Sequence, residues 1–470
     1  MAIFFKQGEN KNRPGLYQRH TNVGFAKPAA DTDGICAIPV QANWGPLGKV
    51  LKNSSQTDLR NNYGSGAYAS GFTVPAASAM FDGKASVVYT YRMGTGGKAA
   101  SLELDGLTVT AKYPGTMPIS VAVQEKIGNA AVKQFLVYNG TAQVELWEFN
   151  ADTKAEGANL IAAVEGSNYI TVTGEAATVS ALAVASGALT GGENPTVTNE
   201  DYSKAFAALE PFYFNCIALD VDDDKDMTLS LLLKEYLQNA YLHGKLGSAV
   251  VGQPTTVQFA TRLENAMKFN DPKVVFLGSG YKVGSETKNG VLAICYTAGA
   301  IASTPSNQSI THAIINGATE LCETLTFAQY ESAISSGMLM MSMANDGTIW
   351  YDSGVNTLTT LDTATQDEGW KKIRRTKTRF EMISRIDRVL NPKVGRVSAD
   401  SDGIADIIQS AQGVLNAMVT EGKLLAGATF IEDPDNPHEV DSAHFIIQSD
   451  DIDSLEMIYL QYQFRYSQNS

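Results

Sequence analysis

Residues 212–252 read FYFNCIALDVDDDKDMTLSLLLKEYLQNAYLHGKLGSAVVG, and their texture changes twice. The apolar run from Phe212 to Val221 predicts a strand buried on both faces. From Met227 the apolar residues recur every three or four positions until Gly244, the pattern of an amphipathic helix stopped by glycine. Ser248–Gly252 is again a short apolar run. Strand, helix and strand in close succession make one unit of a layered α/β domain.

The alternation extends both ways. DYSKAFAALE, before this stretch, predicts a helix capped by Asn199 or Asp201. After it come the helix VQFATRLENAMKF and the strand KVVFLG. Two earlier strands, GICAIPVQANW and ASVVYTYR, complete the layer. From about Gly94 to Asn199 the texture is Thr/Val-rich, with turns at Asp105-Gly106 and Asn139-Gly140. Closely spaced strands with almost no helix predict a small all-β, barrel-like insertion. Beyond residue 358, helices are expected at about 371–390 and 403–422, the second with Ile404, Ile407, Ile408, Ala411, Val414, Leu415 and Met418 on one face. SAHFIIQ and MIYLQYQFRY predict two closing strands.

The expected fold is therefore α+β and multidomain: an α/β sandwich core with an inserted barrel-like β domain and an α+β C-terminal domain. Extended arms flank it at both ends. The expected boundaries are 1–24 for an N-terminal arm, 25–93 and 200–358 for the core, and 94–199 for the insertion. The C-terminal domain follows at 359–454 and a C-terminal strand arm at 455–470.

With 44% hydrophobic and 18% charged residues, the 470-residue chain has a globular composition. Its net charge of −14 disfavours a nucleic-acid or anionic-membrane surface for the chain as a whole. Cys36, Cys216, Cys295 and Cys322 lie far apart in apolar surroundings, which predicts buried free thiols. MAIFFKQGENKNRPGLYQRH lacks the apolar run of an export signal, so folding in a cytoplasm is expected.

Catalytic and ligand-binding patterns fail residue by residue. MGTGGKAA (93–100) has Arg92 where a phosphate loop needs its first glycine, and Ala99 where it needs Ser or Thr; a hinge is expected. In VVFLGSGYKVG, Val283 replaces the third glycine of a dinucleotide fingerprint. Asp220, Asp222 and Asp224 have calcium-loop spacing, but Lys225 and Leu231 stand where glycine and an acid are required. Helix capping accounts for these acids. The five histidines form no metal-binding pair. No catalytic residue, metal or cofactor is expected.

One charge feature stands out. Residues 370–396 hold ten cations and two acids, a net +8 that leaves −22 on the rest of the chain. Lys371, Lys372, Arg374, Arg375, Lys377 and Arg379 form its densest part. Such a helix presents either a solvated face or a contact for an acidic partner.

The final stretch, MIYLQYQFRYSQNS (457–470), alternates Ile458, Leu460, Tyr462 and Phe464 with Tyr459, Gln461, Gln463 and Arg465. A strand with one greasy face and a single charge is an unprotected edge. Either it packs on its own domain or it is lent to a neighbouring copy by strand addition. Head-to-tail lending builds open helical arrays or rings.

These segments, with others in order along the chain, resemble the contractile tail sheath proteins of myophages and R-type bacteriocins, closest to the Gram-positive type. The matching segments are RPGLYQ, IPVQANWGPLGKV, YRMGTGGKA, LTVTAKYPGT, LTGGENPTVTNEDYSKAFAALEPFYFNCIAL, VNTLTTL, NPKVGRVSADSDG and DDIDSLEMIYLQYQF. One departure is YPGTMPISVAV, which lacks an Arg-Gly-Asn element after Gly115-Thr116.

The resemblance implies a structural subunit stacked as hexameric rings around an inner tail tube, contacting baseplate and terminator proteins. It implies no direct nucleic-acid contact and no membrane insertion. The particle would be a virion or phage-like particle, assembled in a bacterial cytoplasm. In such a sheath the C-terminal arm (Met457, Ile458, Tyr459, Leu460, Gln461, Tyr462, Gln463, Phe464) and the N-terminal arm (Pro14, Gly15, Leu16, Tyr17) would join neighbouring subunits. The basic helix would face the tube. A surface-layer or adhesin protein is the rival class, and it would need an export signal.

Overall fold

The computed structural model describes residues 33–464, except 152–153, 176–178, 224–225 and 440, together with the backbone of two short strands near the N-terminus. Those two, Ile3–Phe4 and Tyr17–Gln18, pair in parallel with Ile3 opposite Tyr17. Of the N-terminal residues expected to join neighbours, Pro14, Gly15 and Leu16 lie outside the described residues, as do Arg465 and Tyr466 at the other end.

At the centre is a seven-stranded sheet. Its spatial order is Met338–Leu339, Val274–Leu277, Ser248–Gly252, Cys216–Ala218, Ile35–Val40, Val87–Arg92 and Val50–Asn53. Each neighbouring pair is parallel except the last, which is antiparallel. Period-2 geometry divides the side chains between two cores. Cys36, Ile38, Ala218, Val250 and Val275 face helices Gln56–Tyr63, Val74–Asp82 and Val291–Ser303. Ala37, Ile217, Val251 and Phe276 face helices Asn199–Leu209 and Thr228–Leu242. Burial on both faces explains the unbroken apolar runs.

The predicted cap at Asn199 or Asp201 sits one residue earlier. Thr198 caps the helix, and Asp201 reaches back to it in a reciprocal capping box.

Chain entry to the insertion pairs with chain exit, through bridges Thr95–Thr196, Lys98–Glu193 and Ser101–Thr190. Gly94, Gly96 and Gly97 all adopt positive φ there, a backbone that glycine takes without the penalty a Cβ would bring. Two sheets of four and three strands enclose one core built around Val109, Val121, Phe135, Val137 and Ile170. The module is thus a two-sheet sandwich, where strand spacing alone suggested a barrel. It also holds a helix the sequence pattern missed, Glu156–Ala163, which buries Leu160. Eight residues are too few for a clear helical period.

Trp44 ties the core to this module, stacking on Tyr169 at 5.8 Å and meeting Tyr113 edge-on at 5.0 Å. Arg92 is fully buried beside it and donates to the carbonyls of Ala42, Gly45 and Pro114. Pro114 precedes the Gly115-Thr116 departure, so that loop is held by a carbonyl contact.

Helices Ile373–Leu390 and Ser401–Thr420 lie within two residues of expectation. Strands Thr429–Glu432 and Phe445–Gln448 form an antiparallel pair with Phe430 opposite Ile447. Ile386, Ala411, Leu415, Met418 and Phe430 make their own small core. Ile373, at the start of the same helix, belongs to the first core of the central domain. One 18-residue helix therefore spans both cores; it is called the bridging helix below.

Candidate functional site

Each of the six clustered cations on or just before the bridging helix has a partner within the chain. Lys377 is drawn to the C-terminus of helix Val291–Ser303. Its Nζ donates to the carbonyls of Ile301 and Ala302 at 3.1 and 2.8 Å, bonds that of Thr304, and pairs with Asp33 at 2.9 Å. A cation is favoured there because the last carbonyls of a helix lack intrahelical donors and carry the negative end of its dipole. Lys371 pairs with Glu368 at 2.9 Å.

The other four hold the segment that leads into the C-terminal arm. Asp451 accepts from Arg375 at 2.6 and 2.8 Å and from Arg379 at 3.1 and 3.2 Å. Arg379 also forks onto Asp367 at 2.9 Å and lies over the Trp370 ring at 4.6 Å. Arg374 donates to Ser454 Oγ at 2.7 Å. Lys372 bridges Asp453 at 2.9 Å and Glu456 at 2.8 Å. Arm numbers rise as helix numbers fall, so the segment runs antiparallel along the helix and leaves at its N-terminal end. Backbone bonds from Leu425 N to Asp450 O and from Ile452 N to Lys423 O secure the start of this run.

Burial works to raise the Asp451 pKa, but the Arg375 and Arg379 hydrogen bonds outweigh it and hold the carboxyl below its usual range. At Lys372, desolvation opposes the charge, while the hydrogen bonds it donates to Glu456 and Asp453 prevail and raise its pKa. Desolvation lowers the Arg374 pKa. Arg374 Nε is the single buried side-chain polar atom without a partner among the described residues.

Beyond Glu456 the chain changes character. Met457, Ile458, Tyr459, Leu460, Tyr462 and Phe464 are 68–94% exposed. Residues 457–464, Gln461 and Gln463 among them, are in no ladder. The strand pattern of this stretch is thus unpaired among the described residues, and its apolar side chains are uncovered.

The remaining sequence features have structural roles. Asp223 accepts from Leu229 N and Ser230 N at 3.2 and 2.6 Å, capping helix Thr228–Leu242, and Asp222 accepts from Val291 N at 2.7 Å. Asp220 is wholly buried and bonded by Thr73 at 2.5 Å and Tyr202 at 2.7 Å. Burial pushes its pKa up to about 6 despite those bonds. Among the described residues no group of three His, Cys, Asp or Glu side chains is placed to hold a metal. All four cysteines are free, and burial raises the thiol pKa values of Cys36 and Cys295. Among the described residues no helix is long and apolar enough to cross a membrane.

Sequence reasoning singled out the cations and the arm but missed Asp451, Asp453 and Glu456, which join them. The available signal was the acidic DDIDSLE directly ahead of the arm.

Comparison with known proteins agrees with this architecture. Two sequence models match: the phage tail sheath protein beta-sandwich domain over residues 95–194 and the phage tail sheath protein central domain over 196–353. Together they cover more than half of the chain. The phage-like element PBSX protein XkdK of Bacillus subtilis is 24% identical over 377 residues, covering 76% of this chain and 75% of that one. The sheath tail protein Lin1278 of Listeria innocua superposes with a TM-score of 0.70 at 20% identity, over 89% of this chain and 95% of its own. The contracted helical sheath protein of the anti-feeding prophage superposes at 0.51 with 12% identity, over 97% and 99%. With both domain models matched in order, and a solved sheath tail protein sharing the fold over nearly the whole chain, this chain belongs to the phage tail sheath protein family.

Proposed function

We propose that the chain is the subunit of a contractile tail sheath. It polymerises as stacked hexameric rings around an inner tube and contracts to drive that tube through a target envelope. The observation that carries this is the arm: an anchored root followed by eight residues with a strand pattern, uncovered apolar side chains and no partner strand among the described residues. A lone chain gains nothing from such an edge, whereas a neighbour can complete it by strand addition.

The receiving element in this proposal is the sheet of Thr429–Glu432 and Phe445–Gln448 in an adjacent copy. Two strands alone are marginally stable, and this pair leaves Ile431 and Ile447 exposed. Strands from neighbouring arms would widen the sheet and cover both residues. Contacts of this heterologous kind propagate into helical arrays. The likeness to the contracted sheath protein of the anti-feeding prophage supports a particle of that type. We assign the protein to a virion or phage-like particle assembled in a bacterial cytoplasm, with tube, baseplate and terminator proteins as partners and no catalytic role.

The basic helix takes a different place in this proposal from the tube contact expected of it. Its six cations already have partners in the subunit: we assign Lys372, Arg374, Arg375 and Arg379 to anchoring the arm, while Lys377 holds the end of helix Val291–Ser303 and Lys371 pairs with Glu368. Contact with an acidic tube through them would require those pairs to open.

The test is a variant ending at Glu456, compared with the full chain by size-exclusion chromatography, circular dichroism and negative-stain microscopy. The full chain is expected to form hollow cylinders, and the shortened one to stay folded and dispersed. Regular cylinders from the shortened chain would overturn the proposal.

A further inference from the structure

The arm root has inverted polarity. Along Ser454, Leu455, Glu456 and Met457, the polar residues point into the subunit and the apolar ones point out. Glu456 keeps only 16% side-chain exposure, while Leu455 and Met457 on either side are 82% and 70% exposed. A segment that packed on its own domain would bury the leucine and methionine and free the carboxylate.

Two parts of the molecule hold Glu456 at once. Its Oε2 accepts from Lys372 Nζ at 2.8 Å, at the start of the bridging helix. Its Oε1 accepts from Thr311 Oγ1 at 2.9 Å and lies 3.3 Å from Ser309 Oγ, both on a loop of the central domain. Those hydroxyls are themselves set in place. Thr311 Oγ1 accepts from Gly354 N at 2.8 Å, and Ser309 Oγ accepts from Thr311 N at 3.1 Å. Gly354 packs closely at that point: a Cβ there would stand 3.0 and 3.1 Å from the two hydroxyl oxygens. The Gly354 carbonyl accepts from Ile373 N at 3.0 Å, tying the loop to the first residue of the bridging helix.

We propose that Glu456 is the positioning residue of the arm, fixing the direction in which it leaves the subunit through simultaneous bonds to Lys372 and Thr311. This rests on the reading of the arm as a tether between subunits. Hydrogen bonds are directional and hydrophobic contacts are not, so a polar clamp sets an angle that a greasy one would leave loose. A strand aimed before encounter loses less orientational freedom on docking. The outward Leu455 and Met457 then belong to the surface the neighbour covers.

The test uses the full chain with Cys322→Ser, spin labels at Ile458→Cys and Ser332→Cys, and the variants Glu456→Ala, Glu456→Gln and Thr311→Val. Double electron–electron resonance on the unassembled protein is expected to give a narrow distance distribution with Glu456. The distribution should broaden in Glu456→Ala and broaden less in Glu456→Gln and Thr311→Val, each of which removes one side of the clamp. Without the labels, Glu456→Ala should raise the concentration needed for cylinder growth about tenfold. An equally narrow distribution in Glu456→Ala, or a broad one in the parent, would overturn the proposal. Broadening in Glu456→Ala, combined with cylinders from the chain ending at Glu456, would instead leave the clamp standing and remove the tether.

Discussion

Arg375 and Asp451, 76 residues apart in sequence, meet as a two-pronged fork: Nη2 lies 2.6 Å from one carboxylate oxygen and Nε 2.8 Å from the other. Bidentate, charge-assisted geometry is among the stronger polar contacts a protein makes. Arg379 donates to the same carboxylate, whose side chain is only 6% exposed.

Removing Asp451 should therefore do more than loosen a surface contact. Asp451→Ala leaves two arginines facing a gap, and losing one member of a largely buried pair costs about 3 kcal/mol. Urea denaturation is expected to show that loss, with Asp451→Asn in between because it keeps an acceptor. A change within about 0.5 kcal/mol, the usual effect of a surface substitution, would mean that the fork is dispensable.

The same carboxylate sets an acid limit on the arm root. Its folded pKa lies below the unfolded value of about 3.9. Its stabilising contribution is thus complete above that value and disappears as pH falls through the folded one. Protease sensitivity of residues 449–456 should stay flat from neutral pH down to about 4 and rise only below it. An onset near pH 6 would point to another group.

Asp220 behaves in the opposite sense. Its folded pKa is raised to about 6 by burial, and Tyr68, Tyr202, Asp222 and Cys295 lie close by. A raised acid contributes stability that is present below its unfolded pKa and is lost as pH climbs through 6. Between pH 4 and 7 it should weaken the fold by on the order of 2–3 kcal/mol. Unfolding free energies of Asp220→Asn across that range are expected to be flatter than those of the parent. Parallel curves would show that Asp220 does not titrate there.

Gly299 sits where helix Val291–Ser303 crosses helix Val74–Asp82. A Cβ at Gly299 would lie 2.1 Å from the Met80 carbonyl oxygen, a backbone atom that moves only with its helix. Gly299→Ala should cost about 1–3 kcal/mol through overpacking, despite alanine's better helix propensity. A calorimetric midpoint at or above that of the parent would contradict this contact.

Much of the architecture was legible because its signals are local. The runs at Cys216–Ala218 and Ser248–Gly252 and the helical period of 228–242 name their elements with no knowledge of their neighbours. The helix Glu156–Ala163 was not legible, because two turns show too little period. The separation of the inserted module into two sheets was hidden for another reason: strand pairing is not written in strand pattern. For the arm, the sequence showed a strand face, and residues 457–464 join no ladder among the described residues.

Alone, then, the amino-acid order determined the layered α/β core, the β insertion, the two C-terminal helices and an apolar, strand-patterned ending. Whether the bridging helix offered its charge outward or spent it inward was decided by the tertiary structure. Coulombic and hydrogen-bonding energies depend on distances between side chains, and only the folded chain brings Asp451 and Glu456 beside cations 76 and 84 residues earlier.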